Sequence, residues 1–327
     1  MQSYWMQTTE SGAALELRDV AIPEPGPGQL LVRVRAAGLN RGEFLAGGIH
    51  KPGAAKAIGM EAAGEVAGLG AGVNGFAAGD RIMGRMTGAF SEYALLDARE
   101  AMAVPACLSW EEAASVPLTF LVMYDMLVSQ GRLRPGEWVL ITGASSGVGV
   151  ASLQTAKALG AKVIGTSGSA DKLERLQSLG LDVGICTRSG DFYDRVMQAT
   201  EGHGADLVVN TVGGTVFADC IRTMAFQARL ATVGYVDGVT TSEIDLAALH
   251  AKRLTLFGVS NKLRNAEQRV EGVPGFIADV LPLIGAGKIR PVVDRIFSFD
   301  QLEAAKAHME ANRHLGKIVL AGVPSKQ

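Results

Sequence analysis

The sequence predicts an α/β fold, in which a doubly wound parallel sheet accompanies a smaller β domain. Two observations lead to this prediction. Short strand-like runs separated by glycines fill the first third of the chain, and from Trp138 onward apolar strands alternate with helical stretches. With 327 residues, of which 48% are hydrophobic, the chain is long and apolar enough to bury two cores.

The first third of the chain has the pattern of β structure. Residues 30–34 alternate arginine with apolar side chains and follow a turn rich in proline and glycine at 23–28. Further strand-like runs lie at 64–69, 80–83 and 90–96. Several short strands joined by glycine-containing loops favour a small barrel or sandwich.

The remainder of the chain alternates between helical and extended patterns. Residues 109–130 carry helix signals, with Ser109 as the N-cap and two glutamates in the first turn. The apolar strand 138–142 then leads into a glycine-rich loop. The elements predicted beyond it are a helix ending near Gly160, strands at 162–166, 183–187, 207–210, 229–233 and 254–259, helices at 169–179 and around 274–285, and a final strand at 316–320.

Composition and charge exclude several classes of function. The formal net charge is −2 and no basic run is present, so no nucleic acid is expected as a partner. We expect no membrane span, because the apolar stretch 113–128 is interrupted by Pro117 and Asp125. Residues 1–10 lack the layout of a secretion signal, and the 3 cysteines lie far apart. These features predict a cytoplasmic protein.

The loop Gly143-x3-Gly147-x-Gly149 lies between a buried strand and a helix. The diphosphate of a dinucleotide needs backbone N–H groups that approach closely and the positive end of a helix dipole. Glycines permit such an approach, and a second strand follows at the expected distance. The loop therefore predicts a dinucleotide site, whose contacting residues are Ser145, Ser146, Gly147, Val148 and Gly149.

Two other interpretations use the same loop. Gly143-x-Ser145-x-Gly147 matches the nucleophile elbow of a serine hydrolase, with Ser145 as the nucleophile. Such an enzyme needs several sheet strands before the elbow, and here that segment has the pattern of a separate β domain. The loop also resembles that of short-chain dehydrogenases, but no tyrosine in the chain is followed by lysine four positions later. We favour the dinucleotide site over both.

The end of the second strand indicates which dinucleotide is bound. Sites that prefer NAD carry an acidic residue there, whereas residues 165–169 hold only glycine, threonine and serine. Hydroxyl groups and nearby cations accept a 2′-phosphate, so we predict NADP(H) with Ser167, Lys172 and Arg188 as contacts. The alternative for Lys172 and Arg188 is that both are solvated surface charges.

Ordered motifs run along nearly the whole chain and resemble one family. They are Pro23-x-Pro-Gly-x-Gly28 with the strand that ends at Asn40, Gly59-Met-Glu-Ala-Ala-Gly-Glu-Val66, Gly79-Asp-Arg81, Gly88-Ala-Phe-Ser-Glu-Tyr93, the 143–149 loop, Ala156-Lys-Ala-Leu-Gly160, Asn210-Thr-Val-Gly-Gly214 and Gly316-Lys-Ile-Val-Leu320. Together they resemble the medium-chain dehydrogenase/reductase family, specifically its zinc-independent quinone oxidoreductase branch.

This resemblance implies a GroES-like β-barrel catalytic domain at 1–118 that is completed by 261–327. A Rossmann dinucleotide-binding domain would occupy 119–260, with the active site in the cleft between the domains. The resemblance also implies a homodimer in which the strand 254–259 pairs across the two-fold axis, so that its edge is not left exposed.

The resemblance further implies chemistry without a metal. At the positions where zinc-dependent relatives have ligands, this chain has Asn40, Met60 and Thr119, which do not form a zinc site. Without zinc the pKa of an alcohol is not readily lowered, so we expect reduction of an electrophilic quinone or α,β-unsaturated carbonyl. Asn40 and His50 are the catalytic candidates. The plain alternatives are a loop asparagine bonded to its own backbone and an exposed loop histidine.

On the cofactor side, the resemblance implies six contacts near the nicotinamide end: Asn210, Gly213, Gly234, Tyr235, Phe257 and Val259. Tyr235 has a rim position without contact as its alternative. Lys317, before the last strand, is predicted either to touch a phosphate or to be a capping lysine on the surface. As an alternative function we retain a cofactor-binding protein with little turnover.

Overall fold

The computed structural model describes residues 1–9, 12–44 and 54–322. The chain divides into two compact units, Met1–Thr119 with Val273–Gln327, and Phe120–Gly272. The first unit is therefore discontinuous in sequence, and the second is inserted into it. The chain returns to the first unit at Val273, whereas the sequence predicts this return at 261. The difference arises because the helix Ala266–Val270 belongs to the second unit.

The first segment of the discontinuous unit is mostly β structure. Its elements are β1 (Gln2–Thr9), β2 (Gly12–Asp19), β3 (Gln29–Gly38), β4 (Lys56–Ala57), β5 (Glu61–Leu69), β6 (Arg81–Arg85), β7 (Tyr93–Asp97), β8 (Met102–Ala103) and α1 (Trp110–Ala114), with 3-10 turns at Arg41–Glu43 and Ala98–Glu100.

The inserted unit alternates strands with helices, as predicted. After α2 (Pro117–Tyr124) and a π-helical turn at Asp125–Ser129, its elements are β9 (Trp138–Thr142), α3 (Gly147–Ala158), β10 (Lys162–Ser167), α4 (Ala170–Gln177), β11 (Val183–Cys186), α5 (Tyr193–Ala199), β12 (Ala205–Asn210), α6 (Phe217–Thr223), β13 (Met224–Thr232), α7 (Leu246–Lys252), β14 (Thr255–Gly258) and α8 (Ala266–Val270). A 3-10 turn, Gly214–Val216, precedes α6.

The chain then completes the first unit. The closing elements are α9 (Gly272–Asp279), α10 (Leu281–Gly285), β15 (Val293–Ser298), α11 (Leu302–Glu310) and β16 (Lys317–Ala321), with a 3-10 turn at Phe299–Gln301. Strand β16 pairs antiparallel with β3, so the two segments of this unit share one sheet.

The first unit is built on two sheets. A seven-stranded sheet has the order β15-β16-β3-β5-β6-β8, with β7 also paired to β3, and a three-stranded sheet has the order β2-β1-β4. Strand β3 buries Leu30, Val32 and Val34 and leaves the residues between them half-exposed, which is the alternation that its sequence predicts. These side chains join a core that includes Phe90 and Leu302. The predicted GroES-like β domain is confirmed.

The second unit contains one six-stranded sheet in which every pairing is parallel. Its strand order is β11-β10-β9-β12-β13-β14, so the direction of winding reverses between β9 and β12. In a doubly wound sheet, ligands bind outside the carboxyl ends of the strands at this reversal. The predicted Rossmann architecture is confirmed, and it locates a ligand site at the loops after β9 and β12.

Two predicted helices are interrupted. The helix expected over 109–130 is split into α1, α2 and the π-helical turn, although Ser109 caps its start as predicted and forms a capping box with Glu112. Pro117 begins α2 because proline lacks the N–H needed inside a helix. The helix expected over 274–285 is likewise divided, and Pro282 stands in the first turn of the second piece.

In the part of the chain that the structure describes, no helix combines the length and the apolar character needed to cross a membrane.

Candidate functional site

The glycine-rich loop connects β9 to α3 at the winding reversal of the parallel sheet. Ser146 is the N-cap of α3, and its Oγ accepts a hydrogen bond from the N–H of Gly149 at 3.1 Å. The N–H of Ser146 in turn bonds the carbonyl of Gly143 at 3.0 Å, which closes the loop into a tight turn. The N–H groups of Gly147 and Val148 belong to the first turn of α3, where a helix has no internal acceptors and attracts anions.

Two positions of this loop require glycine. Gly143 has a φ of +63°, and a Cβ there would lie 2.6 Å from Thr211 Oγ1. A Cβ at Gly149 would lie 2.6 Å from the carbonyl oxygen of Ala144, so helix α3 packs directly on the loop. The glycines therefore bring the amino end of α3 close to the end of β9, as a site for a diphosphate needs.

The loop is also fastened to the neighbouring strand β10. The N–H of Ala144 donates to the carbonyl of Thr166 at 2.9 Å, and the N–H of Gly143 bonds Thr166 Oγ1 at 3.2 Å. The end of the second strand is thereby held at a fixed position beside the glycine loop.

Arginine and hydroxyl side chains meet at the end of β10. A Cβ on Gly168 would lie between 2.7 and 2.9 Å from the side chain of Arg188, so this arginine lies against the turn. Ser167 is buried, and its Oγ accepts from the N–H of Ser169, which is the N-cap of α4. Lys172 is in the first turn of that helix and is half-buried. The three predicted phosphate contacts are thus brought to one corner of the sheet.

Asn210, at the end of β12, organises the turn that follows it. It is fully buried, and its Oδ1 accepts from Thr142 Oγ1 at 3.0 Å and from the N–H groups of Val212 and Gly213, both at 3.1 Å. Its Nδ2 donates to the carbonyl of Gly213 at 2.9 Å. The side chain therefore shapes the loop from within, and its contact with a cofactor stays a prediction.

The other predicted contacts of this unit lie at the carboxyl ends of the next two strands. Gly234 and Tyr235 follow β13, and the Tyr235 side chain is 51% exposed. Phe257 is half-buried in β14, and Val259 is buried directly after that strand. All of these positions share the edge of the sheet that carries the glycine loop, although their contact with a cofactor stays a prediction.

In the first unit, Asn40 lies in a buried network of charged side chains. Its Nδ2 donates to Glu43 Oε1 and to Glu61 Oε1, both at 2.9 Å, and its Oδ1 accepts from Lys317 Nζ at 2.8 Å. Both amide hydrogens are therefore used by the protein. The alternative of a bond to its own backbone does not describe this geometry, because Asn40 joins two glutamate side chains to one ammonium group. The catalytic role of Asn40 stays a prediction.

The structure corrects both interpretations of Lys317. The side chain is 6% exposed and thus not a surface lysine. Its ammonium group donates to Glu61 Oε1 at 2.6 Å, to the carbonyl of Leu39 at 2.7 Å and to Asn40. An ammonium group has three donors, so none remains for a phosphate. Sequence position alone did not reveal this role, because the partners lie more than 250 residues away.

Glu43 completes this network and has the most perturbed environment within it. Burial raises the pKa of Glu43 to about 8, against lowering by the hydrogen bond from Asn40 and by the charge of Lys317. Lys317 pairs with Glu61, which also accepts the N–H of Leu118 at 2.8 Å. One buried cation balances only one carboxylate, so Glu43 is protonated at neutral pH. Sequence patterns assigned no role to either glutamate.

Three further expectations concern His50, a metal site and the hydrolase interpretation. His50 lies outside the described residues. In the described ranges, no group of three or more His, Cys, Asp or Glu residues is arranged to hold a metal ion. For the hydrolase interpretation, His203 lies at the wrong end of the sheet: it bonds Asp206, which accepts the N–H of Trp138 at the start of β9, the opposite end of the strand from Ser145.

Comparison with known proteins identifies the family. Residues 26–106 match the model of the alcohol dehydrogenase GroES-like domain, and residues 147–272 match that of the zinc-binding dehydrogenases. The chain is 30% identical over 330 residues to the human synaptic vesicle membrane protein VAT-1 homolog, and the match covers 96% of this chain and 84% of that protein. The chain belongs to the medium-chain dehydrogenase/reductase family.

Other members of the medium-chain dehydrogenase/reductase family place the chain among oxidoreductases. A mycobacterial protein complexed with NADPH is 27% identical with a TM-score of 0.88, over 98% of this chain and 100% of that one. A quinone oxidoreductase of Pseudomonas syringae is 26% identical with a TM-score of 0.86, over the same shares. The predicted resemblance to the quinone oxidoreductase branch is confirmed.

Polyketide synthases are also relatives. A phenolphthiocerol/phthiocerol polyketide synthase protein of Mycobacterium tuberculosis is 33% identical over 311 residues, which are 94% of this chain. The chain spans only 14% of the length of that much larger protein.

Proposed function

We propose that this oxidoreductase binds NADP(H) and reduces a quinone or an α,β-unsaturated carbonyl compound by hydride transfer, without a metal ion. NADPH, when bound, supplies the hydride. The observation that carries the proposal is the corner formed by Gly168 and Arg188 beside the glycine loop. This corner offers a cation, and residues 165–169 at the end of the second strand contain no carboxylate, where the 2′-phosphate distinguishes NADPH from NADH.

The residues of the second unit fit the proposed cofactor. The N–H groups of Gly147 and Val148 would hold the diphosphate, since they stand at the amino end of a 12-residue helix. Arg188, Lys172 and Ser167 would hold the 2′-phosphate. An exposed arginine suits this task, because its planar guanidinium group binds two phosphate oxygens at once. A mycobacterial relative with bound NADPH supports this assignment.

The proposed acceptor follows from the residues that stand where zinc-dependent relatives have their ligands. Asn40, Met60 and Thr119 offer no thiolate, imidazole or carboxylate to a metal. A protein of this kind contributes orientation and polarisation, which suffices for a conjugated carbonyl that already accepts hydride. The quinone oxidoreductase neighbour supports a conjugated acceptor.

Asn40 and His50 remain the proposed catalytic residues. The side chains of Glu43, Glu61 and Lys317 hold the Asn40 amide from different sides and fix its orientation. Because both of its amide hydrogens are donated to glutamates, Asn40 would act through the arrangement of this network.

We also propose a cytoplasmic homodimer. Strand β14 stands at the edge of the six-stranded sheet and, within the described chain, pairs only with β13. Pairing of this edge with a second copy would satisfy its open backbone groups. Light scattering after size-exclusion chromatography should give twice the chain mass of 34.2 kDa, whereas a mass of one chain would refute the dimer.

The decisive experiment is a panel of quinones, enals and enones assayed with NADPH and with NADH. We expect steady oxidation of NADPH with at least one conjugated acceptor, in protein that metal analysis shows to be free of zinc. Tight binding of NADPH without turnover across the panel would instead favour a cofactor-binding protein. Activity that disappears with a chelator and returns with zinc would contradict the metal-free mechanism.

A further inference from the structure

Two loops at the carboxyl edge of the second unit are joined by one carboxylate. Strands β12 and β13 are parallel neighbours that end in register, with Asn210 opposite Thr232. The loop after β12 contains residues 211–215, and the loop after β13 contains residues 233–239. Both loops belong to the edge that carries the glycine loop, and both contain predicted contacts to the nicotinamide end.

Asp237 binds both loops through its side chain. Its Oδ2 accepts from the N–H of Thr215 at 2.9 Å and from Thr215 Oγ1 at 2.6 Å, while its Oδ1 accepts from the N–H of Val239 at 2.9 Å. Backbone bonds run beside the carboxylate: Asp237 N to the carbonyl of Val212 at 3.0 Å, and Gly214 N to the carbonyl of Val239 at 2.9 Å.

Gly213 leaves the space that this carboxylate occupies. Its φ is +129°, and a Cβ there would lie 2.1 Å from Asp237 Oδ1. No other residue type fits this position without displacing the carboxylate. The glycine and the aspartate are therefore matched to each other.

The carboxylate is held in its charged form. Burial raises the pKa of Asp237, but hydrogen bonds from the Thr215 hydroxyl and from the N–H groups of Thr215 and Val239 outweigh it, so that the pKa lies below the ordinary value. Bonds to an ionised acceptor are stronger than those between neutral groups. The link between the loops is thus present throughout the neutral range.

We propose that Asp237 is a positioning residue for the nicotinamide half of the cofactor, acting by locking the loop after β12 to the loop after β13. This inference rests on the proposed function, since it assigns these loops to the nicotinamide end. The adenosine half is bound at a different place on the same edge, where β10 ends. The inference therefore predicts an effect on one half of the cofactor only.

The test is the variant Asp237→Asn. Both carboxylate oxygens accept from backbone N–H groups, so the asparagine NH2 must face one of these donors and that bond is lost although the shape is unchanged. We expect the Kd of NADPH to rise about tenfold, as loss of one such bond implies, and kcat to fall as well. Adenosine 2′,5′-bisphosphate, which lacks the nicotinamide, should bind within about twofold of its wild-type affinity.

A matched control is Asp206→Asn at the other end of the same sheet. Asp206 accepts the N–H of Trp138 at 2.8 Å and bonds His203, so its replacement removes comparable hydrogen bonds far from the glycine loop. We expect a lower melting temperature for this control and an unchanged Kd of NADPH. Gly213→Ala, which displaces the Asp237 carboxylate, should reproduce the effect of Asp237→Asn on both ligands.

The outcomes separate this inference from the proposed function. If wild-type protein binds neither NADPH nor adenosine 2′,5′-bisphosphate, the proposed function fails before Asp237 is tested. If wild-type protein binds both but Asp237→Asn changes neither the Kd of NADPH nor kcat, the positioning role is wrong. Equal weakening of both ligands would also overturn it, because that result indicates a general loss of structure in this unit.

Discussion

The two units form their polar sites in opposite ways. In the second unit, the site consists of backbone N–H groups at a helix start, glycines that permit close approach, and an exposed arginine. In the first unit, the polar groups are side chains of Asn40, Glu43, Glu61 and Lys317 that are bonded to one another and mostly buried. The site in the second unit has hydrogen-bond donors left for a ligand. The side chains in the first unit use nearly all of their donors among themselves.

This difference predicts which substitutions change ligand affinity and which change the stability of the protein. The free N–H groups at the start of a helix in the second unit form hydrogen bonds when an anion binds. Substitutions there should therefore change ligand affinity more than the stability of the protein. In the network of the first unit, Asn40 and Lys317 donate all of their hydrogen bonds without a ligand. Substitutions there should change stability first, because an unpaired buried charge is costly. Three predictions test this division, and the largest effect comes first.

Removing the buried cation should destabilise the protein most. In Lys317→Met the carboxylate of Glu61 loses its partner in a fully buried site, and breaking such a pair costs about 3–5 kcal/mol. Urea unfolding measures the change in the free energy of unfolding. The control is Lys306→Met in α11, which loses only a partly exposed pair with Glu310, worth about 0.5 kcal/mol. Equal losses of unfolding free energy in the two variants would show that the buried pair contributes no more to stability than the exposed pair.

Removing the arginine at the end of β10 should change affinity and leave the fold intact. We expect Arg188→Ala to raise the KM for NADPH by about 10- to 100-fold, because a charge-assisted contact with the 2′-phosphate is lost. The KM for NADH should be unchanged. Lys172→Ala should act in the same direction with a smaller effect, since this side chain is less exposed than Arg188. Equal changes for both cofactors would refute the phosphate role.

The third prediction concerns the proton on Glu43. The pKa of Glu43 is raised to about 8 in the folded protein from an ordinary value of 4.5, so between these values the folded state binds more protons than the unfolded state. The free energy of unfolding should therefore fall as pH rises through this window.

The variant Glu43→Gln tests this directly, since glutamine cannot titrate. Relative to wild type it should gain stability as the pH is raised from 5 to 8, and urea unfolding at several pH values measures the difference. Glu65→Gln serves as the control, because Glu65 is a partly exposed partner of Arg35 in the same unit. A wild-type pH profile that persists in Glu43→Gln would assign the titration to another group.

Local patterns predicted the framework of both units. The strand 138–142, the N-cap Ser109 and the alternation along β3 are confirmed, because each depends on neighbours in sequence. Local patterns failed where proline divides a helix, at α2 and α10, since the pattern of apolar residues continues through the break. They also did not single out β15 or the hairpin of β1 and β2, whose sequences carry fewer turn signals.

By itself, the sequence determined where the backbone of the second unit makes its loop for a dinucleotide. Glycine spacing and strand ends are local, and a parallel sheet brings those ends to one edge in any arrangement of this topology. Only the tertiary structure decided what Lys317, Glu43 and Asp237 do. Lys317 and Asp237 bond partners that are distant along the chain or lie on another loop, and burial raises the pKa of Glu43. No spacing in the sequence encodes those contacts, because they depend on how β16 pairs with β3 and β13 pairs with β12.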